Sequence, residues 1–527
     1  MRVTNNMITS NTKSNINANK VLVDQYNTQM TTQKKINKPS ENPVIAIRSL
    51  RMQTSLTHID QYLTNNIADA NSWLDITDTA LTNMIDILTN VRTLCNKGSN
   101  DPLTADDRST ILKQLTSLSD QIYAEGNADF SGRTVFTGYR TTEQLTFKTD
   151  EENTSYTIKQ DISYDAISEC RYTYGTVDVP TNADNEFDSS VEIGSNTYDR
   201  IRLAYGDING KDASDGTPAQ NPLSSFGYTK ADGTTVSLTF GADDTTGSLI
   251  DENGNTVGGY TAYETRQDWI NANGGKAEVG DNDMVFIKET GELVLGKELS
   301  NTLKSEKAQI NVEYTKTGFT AGEARPEYYY NCSMKTPDMK EAVQYTKEDQ
   351  EIKFEISSGI MLAANTQASD VLSTDIGRDM NDMIDIVNAA ITAHDKVDKI
   401  KTMMSKEQYS DDDSQKKLQT YLDAAQKEAD YADNNLSKTY KQYISNFDGY
   451  LDKVNNAHTN VGSLQQRVEL TKTRVENQQA TVSELKSNND NRDISDIIID
   501  YYAAYNAYTS SLTAASKVGS QTLLNYL

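Results

Sequence analysis

The sequence predicts a chain that is mainly α-helical at its ends, a coiled-coil-like bundle drawn from both termini, with a β-rich domain inserted in the middle. Three observations carry this. All eight prolines fall between Pro39 and Pro337. Proline breaks helix interiors, so the proline-free last third has room for long helices. Near both ends apolar residues recur at alternating spacings of three and four, which draws a narrow helical seam. From about 140 to 369 glycines gather and apolar residues alternate with polar ones, the period of strands.

Composition sets outer limits. A length of 527 residues suits about two to four domains. The formal net charge of −26 opposes nucleic acid or anionic membrane as partner, because both attract basic surfaces. Cys95, Cys170 and Cys332 are too few and too scattered for a disulfide framework or a metal cluster. Met1-Arg2-Val3-Thr4-Asn5-Asn6 contains no apolar h-region, so no cleaved secretory signal is expected. No apolar run is long enough to span a bilayer. The expectation is a soluble chain which, if exported, uses a route that reads no cleavable signal.

The first 36 residues are polar apart from Ile16, Val23, Tyr26 and Met30, spaced seven, three and four apart. One thin stripe contributes about 1.5–3 kcal/mol per buried side chain, against roughly 1–2 kcal/mol per residue of backbone ordering. This segment is expected to be mobile alone and to become helical against another seam. Lys34 to Pro43 is a proline-punctuated turn, with Ser40 or Asn42 as cap and Pro43 in the first helical turn. A long helix then runs from near Val44 to about Leu94. Leu56, Ile59, Leu63, Ala70, Trp73, Thr77, Ala80, Met84, Ile87, Val91 and Leu94 fit one heptad frame, and Ile67, Leu74, Leu81, Leu88 and Cys95 make a second row. Two rows mean burial against different partners in a bundle. Asn96–Thr104 reads as a loop punctuated by Gly98 and Pro102. A third helix with Ile111, Leu115, Leu118 and Ile122 on its seam ends around Gly126, and Asp129–Tyr139 reads as a tight β-hairpin or a turn-strand unit.

In the insert, Ile201, Leu203 and Tyr205 alternate, as do Val236, Leu238 and Phe240, and Ile352, Phe354 and Ile356. Asp232-Gly233 and Thr290-Gly291 suggest hairpins. A domain placed between adjacent chain positions is expected to be removable. Helix returns from about Ser369, with Ser369 or Asp370 as cap, and Asp411-Asp412-Asp413 marks a loop or a helix start. Tyr440, Ile444, Phe447, Leu451 and Val454 set a seam that Leu464, Val468, Val475, Val482 and Leu485 continue after a phase slip near Gly462. Asn488-Asn489-Asp490-Asn491 breaks the run.

The closing helix carries Ile494, Ile498, Tyr501, Tyr505, Tyr508, Leu512, Ala515 and Gly519 on one seam. Ile497, Ala504 and Val518 widen it, so it could touch more than one neighbour. Asn506, Thr509, Ser510, Ser511 and Ser516 are assigned to the other side. Leu523, Leu524, Tyr526 and Leu527 make an apolar ending that calls for a partner. The expected division is 1–36 with 493–527 as terminal coiled-coil segments, mobile in the monomer. The helical bundle is 37–139 with 370–492, and 140–369 is the β-rich insert, with room for two subdomains.

Catalytic and metal-binding patterns are missing. His58, His394 and His458 lie far apart and form no zinc-protease motif. Asp251-Glu252-Asn253-Gly254-Asn255 starts like a calcium loop, but Thr256 replaces the glycine that the loop's turn requires. It is expected to be a solvated hairpin turn. No catalytic residue, metal or cofactor is assigned, and the chain is not expected to be an enzyme.

The ends resemble a known family. Ile36-Asn37-Lys38-Pro39-Ser40-Glu41-Asn42-Pro43, followed by Arg48-Ser49-Leu50-Arg51, is similar to the turn of flagellins and flagellin-like proteins. Glu41-Asn42 stands there in place of the usual paired aspartates. Ser131-Gly132-Arg133-Thr134-Val135-Phe136-Thr137-Gly138 resembles the segment typical of the hook-associated protein 3 family, the hook–filament junction. The ending Leu523-Leu524-Asn525-Tyr526-Leu527 and the stretch Asn460–Val468 resemble that family too. The likeness covers roughly 1–140 and 370–527. It implies a flagellin-like fold and a structural subunit of the bacterial flagellum that joins hook to filament. It further implies secretion by the flagellar type III route and assembly through paired terminal helices. The implied partners are copies of itself, neighbouring hook-associated protein and flagellin subunits, and an export chaperone on the C-terminal segment. The alternatives are flagellin itself, or an adhesin displayed on the flagellum.

Overall fold

The computed structural model describes residues 5–100, 103–182, 185–211, 222–241 and 245–520. Ten α-helices appear among them. The first four are α1 Asn5–Thr32, α2 Pro43–Gln61, α3 Ile67–Asn100 and α4 Ala105–Glu125. Within the insert lie α5 Arg266–Ala272 and α6 Lys297–Ser305. They are followed by α7 Ala368–Val371, α8 Thr374–Met404, α9 Asp412–Asp490 and α10 Ile494–Ser520. The architecture is helical ends with a β-rich middle.

The chain forms two compact units. One gathers the chain up to Asn71, Lys353–Leu362 and everything from Gln465 onward; the other holds Ser72–Ile352 and Ala363–Leu464. In the second unit, Trp73, Thr77, Met84 and Val91 from one row of α3, and Leu74, Leu81, Leu88 and Cys95 from the other, are fully buried. A helix wetted on neither row needs neighbours on both sides, and α4, α8 and the part of α9 up to Leu464 belong to the same unit. α3 continues to Asn100, so Asn96–Asn100, expected as loop, are helical. Gly98 is not a breaker here. A Cβ on it would stand 2.1 Å from Cε2 of Tyr440, so glycine is what lets that buried ring close on the helix. Thr104 then opens α4 with a reciprocal capping box to Asp107.

The cap of the returning helix also differs from expectation. Ser369 and Asp370 lie in the short α7, and α8 is capped by Ser373, whose hydroxyl accepts from the Asp375 N–H at 3.2 Å. Asp411 caps α9 by accepting from the Ser414 N–H at 2.9 Å. No phase slip occurs near Gly462. Tyr440, Phe447, Val454, Val461, Val468 and Val475 are all buried, one unbroken row of sevens along the 79-residue α9. Val461 is the member that the sequence reading passed over.

Twelve strands of the described residues make one sheet. From one edge the order is Val343–Tyr345, Asn331–Lys335, Glu151–Ser163, Gln309–Phe319, Leu223–Thr229 and Thr235–Phe240. It continues with Thr246–Asp251, Thr256–Tyr263, Met284–Ile287, Glu292–Leu295, Gly194–Arg202 and Ser168–Tyr174. Neighbours are antiparallel except Thr256–Tyr263 with Met284–Ile287. Both expected hairpins are present, with Gly233 and Gly291 at positive φ. The Asp251 carboxylate accepts from the N–H groups of Asn253 and Asn255 at 2.9 and 2.8 Å, so its oxygens serve a hairpin turn.

The insert is bound to the helices more closely than a removable appendage. Arg202 of the sheet pairs with Asp379 and, at 2.8 Å, with Asp382, both on α8; Arg200 pairs with Asp382 at 2.5 Å and with Glu292. Asp379 and Glu292 are wholly buried. From α9, Asn446 and the Tyr450 hydroxyl donate to Asp379 at 2.9 and 2.8 Å, and the Tyr443 hydroxyl donates to Asp382 at 2.7 Å. Burial works against the charge on Asp382. Arg200, Arg202 and Arg378 outweigh it and hold the carboxyl far below the usual range. Beside the network, Val177 and Ile193 fill a cluster with Val397, Ile400, Ala425 and Ala429 of α8 and α9.

Candidate assembly interface

The terminal helices meet in the first unit. On α1 the residues turned inward are Ile16, Asn19, Val23, Tyr26, Gln29 and Met30. On α10 they are Ile497, Asp500, Tyr501, Ala504, Tyr508, Ser511 and Ala515, with Ile497 and Ala504 the deepest. Asn19 Nδ2 donates to Ser511 Oγ at 2.7 Å, while Gln29 meets Arg492 at 3.3 Å. Ascending along α1 therefore means descending along α10, and the pair is antiparallel.

The α10 seam is rotated from the one read in the sequence. Tyr501, Tyr508 and Ala515 belong to both, but the most buried members are Ile497 and Ala504. Ser511, assigned to the polar side, faces α1. Ile494, Ile498, Tyr505 and Leu512 remain outward at 37 to 45% exposure, and Tyr502 and Ile499 beside them are more open still. Leu523, Leu524 and Leu527 lie outside the described residues. On α1, the seven-residue gap between Ile16 and Val23 leaves one seam position vacant in the apolar pattern. Asn19 occupies it, and that gap was the signal available.

The turns at the base of the pair lock together. Gln33 takes a positive φ of 55°, and its carbonyl accepts from the Arg492 N–H at 3.0 Å. Lys35 N–H donates to the Asp490 carbonyl at 2.7 Å, and Gln29 Nε2 reaches the Lys35 carbonyl at 2.8 Å. The Arg492 guanidinium pairs with Asp500 and lies 5.8 Å from the Tyr26 ring centre. Arg492 was not singled out from sequence, since the stretch before it reads only as a helix break.

The proline turn is built as its residues dictate. Glu41 N–H closes on the Lys38 carbonyl at 3.0 Å around Pro39 and Ser40, both exposed. Asn42 caps α2 by accepting from Val44 and Ile45, with Pro43 as the first residue of the helix. Glu41 accepts from the Asn37 N–H at 2.9 Å. The Glu41-Asn42 pair thus does the bonding that acidic residues at a helix start normally do. Further on, Ser49 Oγ donates to Asp490 at 2.8 Å and Asn489 Nδ2 to the Ile45 carbonyl at 3.1 Å, joining α2 to the end of α9. A five-residue π-helical turn, Tyr62–Asn66, follows α2, and Asn66 Nδ2 donates to the Glu355 carbonyl at 2.7 Å.

The remaining turn motif lies in the second unit. Asp129-Phe130 and Arg133-Thr134 pair across Ser131 and Gly132, both at positive φ, 53° and 77°. That is the two-residue hairpin whose twist matches its strands. Arg133 stacks its guanidinium 5.6 Å from the Trp73 ring centre. Gly138, at φ 61°, leaves room for Gln350, which accepts from the Tyr139 N–H at 2.6 Å. Among the described residues no three His, Cys, Asp or Glu side chains are placed to share a metal, and no helix is long and apolar enough to cross a membrane.

Residues 3–141 match the model of the bacterial flagellin N-terminal helical region. The fold is flagellin-like. Over 118 residues the chain is 27% identical to flagellar hook-associated protein 3 of Escherichia coli (strain K12), covering 22% of this chain and 37% of that protein. The match thus spans little more than a third of the curated relative. Two solved structures, each 12% identical, align over most of both chains. Xanthomonas campestris FlgL covers 83% of this chain and 99% of its own at a TM-score of 0.28. The flagellar junction protein FlgL of Legionella pneumophila covers 80% and 99% at 0.26. The weight rests on the terminal match. The N-terminal helical region, residues 3–141, is the part of the chain that the family model places.

Proposed function

We propose that the chain is a structural subunit of the bacterial flagellum, joining hook to filament and assembling through its paired terminal helices. One observation carries the reading: α10 spends one side on α1 and leaves Ile494, Ile498, Tyr505 and Leu512 outward. Such a stripe is stable in water only at a cost, and covering each side chain contributes about 1.5–3 kcal/mol. Copies of the same chain, with neighbouring hook-associated and flagellin subunits, are the partners that fit the resemblance. Pro39, Ser40, Pro43 and the Ser131–Gly138 segment then act as shaping elements that set the angles of the helices. We place the protein outside the cell, delivered by the flagellar type III route with a chaperone on its C-terminal segment.

Immunogold on isolated flagella tests the reading. Label confined to the hook–filament boundary is the expected result. Label along the filament would make the chain a flagellin, and absence from flagella would reject both.

A further inference from the structure

On α2 the buried and half-buried residues are Ile45, Ala46, Ser49, Met52, Leu56 and Ile59. The opposite side carries Val44, Ile47 and Leu50, exposed at 58, 51 and 66%. Arg48 and Arg51 stand on that same side, also exposed. Neither makes an ion pair among the described residues. In a chain of net charge −26, a face that is both apolar and basic is out of keeping with its surroundings.

The end of α9, in the same unit, presents the complement. Thr471 and Val475 are buried there, whereas Glu469, Glu476 and Glu484 point out with Leu470, which is 74% exposed, and Arg474 is exposed between them. Of these three, among the described residues, Glu469 alone has a cation within 4 Å, Lys472 at 3.9 Å.

We propose that the basic, apolar face of α2 docks on the side of α9 that carries Glu469, Glu476 and Glu484 with Leu470, in a second copy of this chain. This rests on the assembly reading above and adds a second interface to it, separate from the α10 stripe. Two different faces of one molecule that fit each other make a head-to-tail contact, which propagates into rings or helical arrays instead of stopping at a dimer. Burial of Val44, Ile47 and Leu50 supplies attraction, and the arginines opposite glutamates supply register and steering. Because the charges start exposed, the contact weakens with salt.

The test is sedimentation of the full chain over a range of concentrations and salt, with circular dichroism to confirm that each variant is folded. Wild type should self-associate, and R48E/R51E should lose at least tenfold in association. E469R/E476R should lose as much, and the two sets combined in one chain should recover most of it. Raising salt should weaken the wild-type contact. Folded R48E/R51E that associates like wild type would overturn the inference and leave the assembly reading standing, as would failure of the combined variant to recover. Wild type that stays monomeric throughout would defeat both. Binding of wild type to vesicles of anionic lipid, lost in R48E/R51E, with no effect of those changes on self-association, would assign the face to a membrane instead.

Discussion

Asn19 Nδ2 donates a 2.7 Å hydrogen bond to Ser511 Oγ, joining two residues 492 positions apart across the α1–α10 contact. Ser511 also donates to its own Ala507 carbonyl at 2.7 Å, so the pair is oriented as well as satisfied. A polar pair in a helical seam fixes register at some cost in stability. Shift α1 by one turn and the Asn19 amide loses Ser511 as its acceptor.

Asn19→Leu should therefore tighten the α1–α10 contact while loosening its register. Hydrogen exchange in the free monomer should slow along α1, and cross-links between cysteines placed at Tyr26 and Tyr508 should form in more than one spacing. Faster exchange along α1 in the variant would show that the hydrogen bond, not the apolar stripe, holds the pair.

Arg202→Met should destabilise the second unit by about 3–5 kcal/mol, the usual cost of removing one partner from a buried pair. It leaves the Asp379 carboxyl buried and dependent on Asn446 and Tyr450 alone. By the same logic, deleting the insert strips both arginines from α8, and the remaining helices should melt at lower temperature than the intact chain. Thermal unfolding followed at 222 nm decides both cases. An unchanged melting temperature after either change would make the insert the separable domain that its sequence suggests.

The network should resist mild acid. The folded pKa of Asp382 is lowered, so its contribution is complete above the ordinary aspartate value of about 3.9 and disappears only as pH falls toward the lowered value. The melting-temperature gap between wild type and Asp382→Asn should stay constant from about pH 7 to 5 and shrink below about 4. A gap that closes between pH 7 and 5 would mean that the carboxylate is not held by the arginines.

Much of this was legible because period survives without context. The two rows of α3 appear in the sequence as sevens, and the structure buries both. The Ser131-Gly132 hairpin follows from residues that tolerate positive φ. Three features were not legible, each for a physical reason. Gly98 reads as a breaker, and only the Tyr440 ring shows why glycine is needed inside a helix. The insert reads as independent because ion pairs such as Arg202–Asp379 join residues far apart in sequence and leave no local pattern. The α10 seam is ambiguous because Ile494, Ile497, Ile498 and Tyr501 offer apolar groups on both sides of one helix. Which side meets α1 depends on the small residues Ala504 and Ser511, which permit close approach.

The central claim is that the outward side of α10 is covered by assembly and by nothing before it. Leu512, at 42% exposure, is the residue on which to test it. Leu512→Asp sets a carboxylate at a wet position in the monomer, where surface changes usually stay within about 0.5 kcal/mol. In an apolar contact between subunits the same charge costs several kcal/mol. The measurement pairs a melting curve of the purified variant with motility of cells producing it at normal level. The account predicts an unchanged melting temperature and lost motility; full motility, or a monomer that melts far earlier, would contradict it.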